Sequence, residues 1–315
     1  MPSTDRHPLP ALARLLALLL AALLLASCGE DEPVVNVDLT RRSDLTAPGP
    51  AQARALTYAY LPQYSHQASY ERHRLLVDYL KKATGLPLRQ VFPDTFDEHE
   101  KMVLRGEIDI SFSNPFVYVR LAKAGARAFA RIVEPSGRPD FFSQIIVRAD
   151  NRAIESLKDC KGKRWIAVDP TSAGGYLFAL GLFHDHGIRP QDFAEIAFAP
   201  GPGGKQEKVV LAVYAGAYDL GSVRNDTLDL LKDKVDLSQI RVLAESRHYP
   251  GWVYAARSGL DPAVVSALAS AMFALDPTVP EQARILDAAR FQSIIPSTDA
   301  DFDPIRDLVA KLGLE

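Results

Sequence analysis

Residues 169–178, DPTSAGGYLF, place Thr171, Ser172 and two glycines at a corner between a strand-like run, RWIAV, and an apolar helix-like run, YLFALGLF. Three chemistries use such a corner. A nucleophilic serine at a strand-to-helix turn needs G-x-S-x-G, but Thr171 and Ala173 flank Ser172, and nothing nominates a partner histidine. A P-loop needs G-x-x-x-x-G-K-[ST]. The nearest segment, APGPGGKQ at 199–206, has Ala199 in place of the first glycine and Gln206 in place of the hydroxyl residue. Anion binding without catalysis fits better. Small hydroxyl residues before a helix present oxygens and free N–H groups to an anion, and the helix dipole favours negative charge. Thr171, Ser172, Ala173, Gly174 and Gly175 are the candidate residues, the glycines allowing close backbone approach. The same residues also make a plain N-cap with a tight turn, and the segment alone leaves both readings open.

The elements that must position this corner alternate. ALTYAYLP, LRQVF, IDISFS and ARAFARIV read as strands, and the runs between them carry helical periodicity. One of these, YERHRLLVDYLKKATG, puts Leu76, Tyr79 and Leu80 on one face and stops at Gly85. Another opens on a T-x-x-E capping box at Thr95–Glu98. Such alternation predicts an α/β protein with largely parallel sheets. A pseudo-repeat follows: GEIDISFSN at 106–114 recurs as GAYDLGSVRN at 216–225, predicting two lobes of similar plan. Asp109 and Asp219 start their strands and read as structural. Ligands bind beyond the C-terminal strand ends, which nominates Ser113 and Asn114 in one lobe and Arg224, Asn225 and Asp226 in the other. Two extended runs, 140–150 and 248–258, are expected to cross between lobes. Lobe 1 is then 55–145 plus 252–315, and lobe 2 is 146–251, with a hinged cleft between them.

The N-terminus reads as an export signal. Arg6 and Arg14 precede a 12-residue apolar run at 15–26, too short for a usual membrane span. It ends in LASC, which resembles the lipobox of bacterial lipoproteins. That resemblance implies that residues 1–27 are removed and Cys28 is lipidated, anchoring the chain to a membrane through lipid only. Gly29 after the cysteine favours the outer membrane in a Gram-negative cell. Residues 28–54 then form a flexible tether. With Cys28 lipidated, Cys160 is the one remaining thiol. It excludes an intramolecular disulfide or a cysteine-based zinc site and is expected to be buried. A formal charge of −3 with no basic tract argues against nucleic acid. His184 and His186 sit at i, i+2 and share no helix face, so they make no metal site. His99 and Lys205 read as solvated helix residues, and Tyr249 and Trp252 as aromatics near the hinge.

From about residue 55 to the C-terminus, the chain resembles the phosphate, phosphite and phosphonate-binding proteins of ABC importers, the PhnD-like family. The resemblance rests on GKRWIAVDPTSAGGYLFALGLFHDHGIRPQDF, GGKQEKVVLAVYAGAYDLGSVR, SFSNPFVYVRLAK and DFDPIRDLVAKLG. It implies a type II periplasmic binding fold that closes on a small oxyanion, no enzymatic activity and no cofactor, and it implies permease and ATPase partners for what is expected to be a monomer. Carried across, Thr171, Ser172 and the following amides match the anion-holding turn. Tyr118 matches a first-lobe ligand tyrosine, and Tyr64 sits where an aromatic or hydroxyl residue often faces the cleft. Gln206 stands where the family often has histidine, exchanging a chargeable donor for a neutral amide. Arg224 then pairs an oxyanion and Asp226 an amino group, or both cap the following helix. The alternative role is a ligand-sensing lipoprotein that presents its solute to a sensor kinase or chemoreceptor.

Overall fold

The computed structural model describes residues 54–314. The expected signal sequence, Cys28 and the expected tether up to residue 53 lie outside the described residues. Strands β1 (Leu56–Tyr60), β2 (Leu88–Val91), β3 (Ile110–Ser113) and β4 (Arg127–Val133) alternate with helices α1 (His66–Thr84), α2 (Phe96–Leu104) and α3 (Pro115–Lys123). A short strand, β5 (Asp140–Phe141), leads into β6 (Ser143–Arg148). Then come β7 (Arg164–Ala167), α4 (Phe178–Asp185), β8 (Glu195–Phe198), α5 (Lys205–Tyr214), β9 (Leu220–Arg224) and β10 (Ile240–Glu245). The chain returns through β11 (Tyr249–Pro250) and β12 (Val253–Ala256), and ends with α6 (Pro262–Phe273), α7 (Pro280–Ala289), β13 (Ser293–Pro296) and α8 (Asp303–Leu312).

These strands form two sheets of the same plan. One runs β13-β4-β12-β3-β1-β2 and the other β10-β6-β9-β7-β8. In each, a first strand pairs in parallel with a second and a third (β1 with β2 and β3, β7 with β8 and β9). An antiparallel strand, β12 or β6, then lies beside the third. Each of those strands directly follows a crossing, so each sheet is completed by chain arriving from the other. The crossings pair with one another as β5 and β11. Sheet membership changes at Ser143, three residues before the boundary expected between 145 and 146. Helix α8 leans on both lobes: Leu308 packs where a Cβ on Gly181 of α4 would collide, and Lys311 pairs with Asp185.

The pseudo-repeat has a physical basis. Gly106 and Gly216 both end helices in the left-handed region, at φ +72° and +71°. Asp109 Oδ2 accepts from the backbone N–H and hydroxyl of Thr57, both at 2.9 Å, and Oδ1 accepts from Arg257 Nε at 2.8 Å. Asp219 Oδ2 accepts from Arg164 N–H at 2.7 Å. Each aspartate therefore registers a third strand against a first, as its structural reading requires. Helix α1 is built as its periodicity indicates. Ser65 caps it, Gly85 ends it at φ +68°, and Ser69, His73, Leu76, Val77 and Leu80 are its buried stripe. At α2, Thr95 accepts from Glu98 N–H, but Glu98 reaches back to Asp94 N–H, so the capping box closes one residue early. His99 is not on a solvated face. It is fully buried, with Nε2 on Ser111 Oγ at 2.7 Å, and burial lowers its pKa to about 3. Cys160 is buried, and burial pushes its thiol up to about 12.

The pKa of Asp109 is lowered, because its hydrogen bonds from Thr57 and Arg257 outweigh the opposing effect of burial. A depressed carboxylate contributes stability that is present above its unfolded pKa and lost as pH falls through the folded one. Replacing Asp109 with Asn is expected to cost about 2–4 kcal/mol at neutral pH in urea unfolding, because it strands Arg257 and weakens both Thr57 bonds. The difference from the wild-type chain narrows below about pH 4. Asp219→Asn, on a more exposed side chain, costs about 1 kcal/mol or less. Equal losses at the two positions contradict this account.

Candidate functional site

Two neighbouring cavities lie at the C-terminal strand ends, between the lobes. The larger, about 620 Å3, is walled by Tyr60, Tyr64, Arg72, Phe112, Glu134, Arg224, Trp252 and Phe291, with Asn225, Asp226, Asp229 and Lys232 toward its rim. The smaller, about 10 Å3, is lined by Gln63, Phe96, Asn114, Phe141, Ser172, Ala173, Gly174, Gln206, Arg224 and Trp252. Arg224 and Trp252 belong to both. The smaller space is about that of one water, so an oxyanion enters it only as the lobes part.

The corner after β7 is one turn of π-helix, Ala173–Leu177, continuing into α4. Ser172 is its N-cap, Oγ accepting from Gly175 N–H at 3.1 Å. That bond leaves the Ser172 hydroxyl proton to donate elsewhere. The amides of Ala173 and Gly174, at the first two positions, are donors that a helical turn cannot satisfy internally. Thr171 faces differently: its N–H and hydroxyl both go to Asp169 Oδ1, at 3.0 and 2.9 Å. The other Asp169 oxygen accepts from Lys205 Nζ at 2.6 Å, and both residues are buried. Lys205 is thus a buried brace of this corner, not a solvated lysine. The glycines are needed for packing. A Cβ on Gly174 would come within 2.8 Å of Phe141, and one on Gly175 would collide with Val168. Neither has positive φ, so close packing rather than turn conformation requires glycine.

The other sequence candidates divide. Asn114 caps α3 through Phe116 and Val117 N–H and donates from Nδ2 to Thr171 O at 3.2 Å, joining the lobes. Ser113 is fully buried with an unpartnered Oγ. Gln206 Oε1 accepts from Arg224 N–H at 3.1 Å and faces the smaller cavity. Asn225 exchanges two hydrogen bonds with Phe142, its N–H donating to Phe142 O and its Oδ1 accepting from Phe142 N–H, which pins the end of β9 to the crossing strand. Asp226 is exposed at φ +66° on the rim of the larger cavity. Tyr64 lines that cavity, with the Arg72 guanidinium 4.1 Å above its ring. Tyr118 does not reach either cavity. Its ring packs edge-on against Phe302, and its hydroxyl donates to Asp299 at 2.5 Å and accepts from Ala128 N–H, so it closes the lobe 1 core.

Sequence reasoning missed the partner of Arg224. Glu134, immediately after β4, accepts from Arg224 Nη2 at 2.9 Å, with Glu134 buried and the Arg224 side chain 12% exposed. Burial alone would depress the guanidinium, but Glu134 outweighs it and the net shift is upward. The pair bridges the two sheets and removes Arg224 as a free cation. Position at a C-terminal strand end would have flagged Glu134. Arg72 and Tyr60 were also missed: the Tyr60 hydroxyl oxygen accepts from Gln63 Nε2 at 2.9 Å and from Arg72 Nη1 at 3.3 Å. Among the described residues no group of carboxylates, histidines and thiols is arranged to hold a metal, and no helix is long and apolar enough to cross a membrane.

Set beside known proteins, residues 58–302 match the family described as ABC transporter, phosphonate, periplasmic substrate-binding protein. The chain belongs to that family. It is similar to the phosphate-import protein PhnD of Mycolicibacterium smegmatis, with 30% identity over 93% of this chain and 94% of that one. It is also similar to the phosphonates-binding periplasmic protein of Escherichia coli, with 24% identity over 84% of this chain and 80% of that one. Among solved structures, PhnD1 of Prochlorococcus marinus in complex with methylphosphonate superimposes with a TM-score of 0.72, at 17% identity, covering 82% of this chain and 98% of the other. The fold is therefore that of the type II periplasmic binding proteins. Membership makes the chain a binding component of a transporter rather than an enzyme.

Proposed function

We propose that the protein binds a phosphorus oxyanion, as phosphonate, phosphite or phosphate, between its lobes and delivers it, as a monomer, to an ABC permease driven by a separate ATPase. The observation that carries this reading is the set of unspent donors at one corner. The Ser172 hydroxyl and the amides of Ala173 and Gly174 lie in a space closed on the other side by Gln63, Asn114 and Trp252. Neutral, fixed donors hold an oxyanion through charge-assisted hydrogen bonds without a counter-charge. The larger cavity beside them gives an organic substituent on phosphorus somewhere to go. Closure follows because only the closed state brings both walls to the ligand. Thr171 supports the corner through Asp169 and is not a ligand. Family membership favours transport over presentation to a sensor kinase.

We also propose lipid anchoring at Cys28, with the outer membrane as its site in a Gram-negative cell; the LASC motif supports it. Cys28→Ala is expected to abolish incorporation of a labelled fatty acid in cells, and label retained by the variant contradicts anchoring at that residue. For the ligand, isothermal titration with methylphosphonate, phosphite and phosphate is expected to show binding of at least one. Ser172→Ala is expected to weaken it about 10- to 100-fold, one charge-assisted hydrogen bond, with melting lowered by a few degrees for the lost cap. Thr171→Ala has the smaller effect on affinity. Silence for every phosphorus anion, or unchanged affinity in Ser172→Ala, contradicts the reading.

A further inference from the structure

We infer that the larger cavity holds a second anion subsite, formed by Arg72 and the Tyr60 hydroxyl, which selects phosphonates carrying a short carboxylate arm. This rests on the proposed binding of the phosphoryl group at the corner after β7.

Charge bookkeeping in the cleft points to it. Of the interior charges, Arg224 is spent on Glu134 and Lys205 on Asp169. Arg72 remains. Among the described residues no carboxylate oxygen lies within 4.0 Å of its guanidinium. What holds it is neutral: one N–H donates to the Tyr60 hydroxyl oxygen, and the group stacks 4.1 Å from the Tyr64 ring. A guanidinium carries five donors in a fixed fork, and four of them have no partner among these contacts. Tyr60 adds another donor. Its oxygen accepts twice, from Gln63 and Arg72, so its own proton is free, and its ring is buried. Burial pushes its pKa up to about 12, with Arg72 pulling the other way, so the hydroxyl stays protonated at neutral pH.

An ammonium arm fits this wall poorly. The deep surface offers donors and a positive charge, and Glu134, the deep carboxylate, is already paired. Asp226 and Asp229 lie exposed at the rim, where water screens them, and Lys232 shares that rim. The arm must also be short. Gln63 walls the corner cavity and touches Tyr60, which touches Arg72, so the two subsites are two hydrogen bonds apart. A carboxylate one or two carbons from phosphorus spans that gap, and a planar carboxylate suits a guanidinium fork.

The test is titration of the full chain with phosphonoacetate, methylphosphonate and 2-aminoethylphosphonate, in the wild type, Arg72→Gln and Arg72→Lys. The expected result is at least about 10-fold tighter binding of phosphonoacetate than of either other ligand, the value of one charge-assisted contact. The phosphonoacetate-to-methylphosphonate ratio falls about 10-fold or more in Arg72→Gln and partially in Arg72→Lys, which keeps charge but loses the fork. If Arg72→Gln does not fold, the lysine variant carries the test. Methylphosphonate binding without a phosphonoacetate advantage, tighter binding of the amine, or a ratio untouched by both variants overturns this inference alone. Failure of every phosphonate to bind the wild type overturns the function proposed above and this inference with it.

Discussion

The Arg224–Glu134 pair is the constraint around which the cleft is organised. Two largely buried ions are costly to desolvate, and the pair is tolerable only while both partners stay together. Arg224 ends β9 in one sheet and Glu134 follows β4 in the other, so the pair is maintained only with the lobes close. It also takes the most obvious cation out of anion recognition. What remains at the corner after β7 is a set of neutral donors, and what remains deep in the larger cavity is Arg72. Selectivity and closure are thus coupled through one electrostatic contact.

Other links across the cleft are weaker and reversible. Asn114 donates to Thr171 O, and the loop before α5 lies against Tyr64 and Ser65, where a Cβ on Gly203 would meet backbone at 3.0 Å. The crossings are stiffened by Phe178 stacked on Tyr249, with ring centroids 4.2 Å apart, and by Phe141 beside them. A ligand that enters must part the walls of a space about one water in size and then repay that separation with its own contacts. Fixed donors on one lobe and Gln63, Asn114 and Trp252 on the other are suited to that exchange. Trp252 Nε1 and Ser113 Oγ are buried without partners, which leaves polar capacity unspent near the same strand ends.

The parts of this molecule legible in its sequence are those set by local rules. Gly106 and Gly216 ending helices, aspartates three residues later and alternating periodicity define the two-sheet plan. The rule that ligands sit beyond C-terminal strand ends led to Arg224 and Asn225 in the cleft. Long-range partners were hidden. Lys205 looks solvated until Asp169, 36 residues away, is brought against it, and His99 looks exposed until it meets Ser111 Oγ in the core. Arg72 sits among Glu71, Arg74 and Asp78 in α1, and no pattern marks it as the one facing a cavity. Tyr118 shows the opposite failure. A family motif put its hydroxyl in the cleft, whereas Asp299, 181 residues later, holds it in the core.

The central claim is that a phosphoryl group sits against the turn that begins at Ser172 while the lobes are closed. A crystal structure of the protein with methylphosphonate tests it most directly. The account predicts phosphonate oxygens within about 3 Å of the Ser172 hydroxyl and the Ala173 and Gly174 amides, with Glu134 still paired to Arg224. A ligand bound elsewhere in the cleft, or one bound directly by Arg224 with Glu134 displaced, would contradict it.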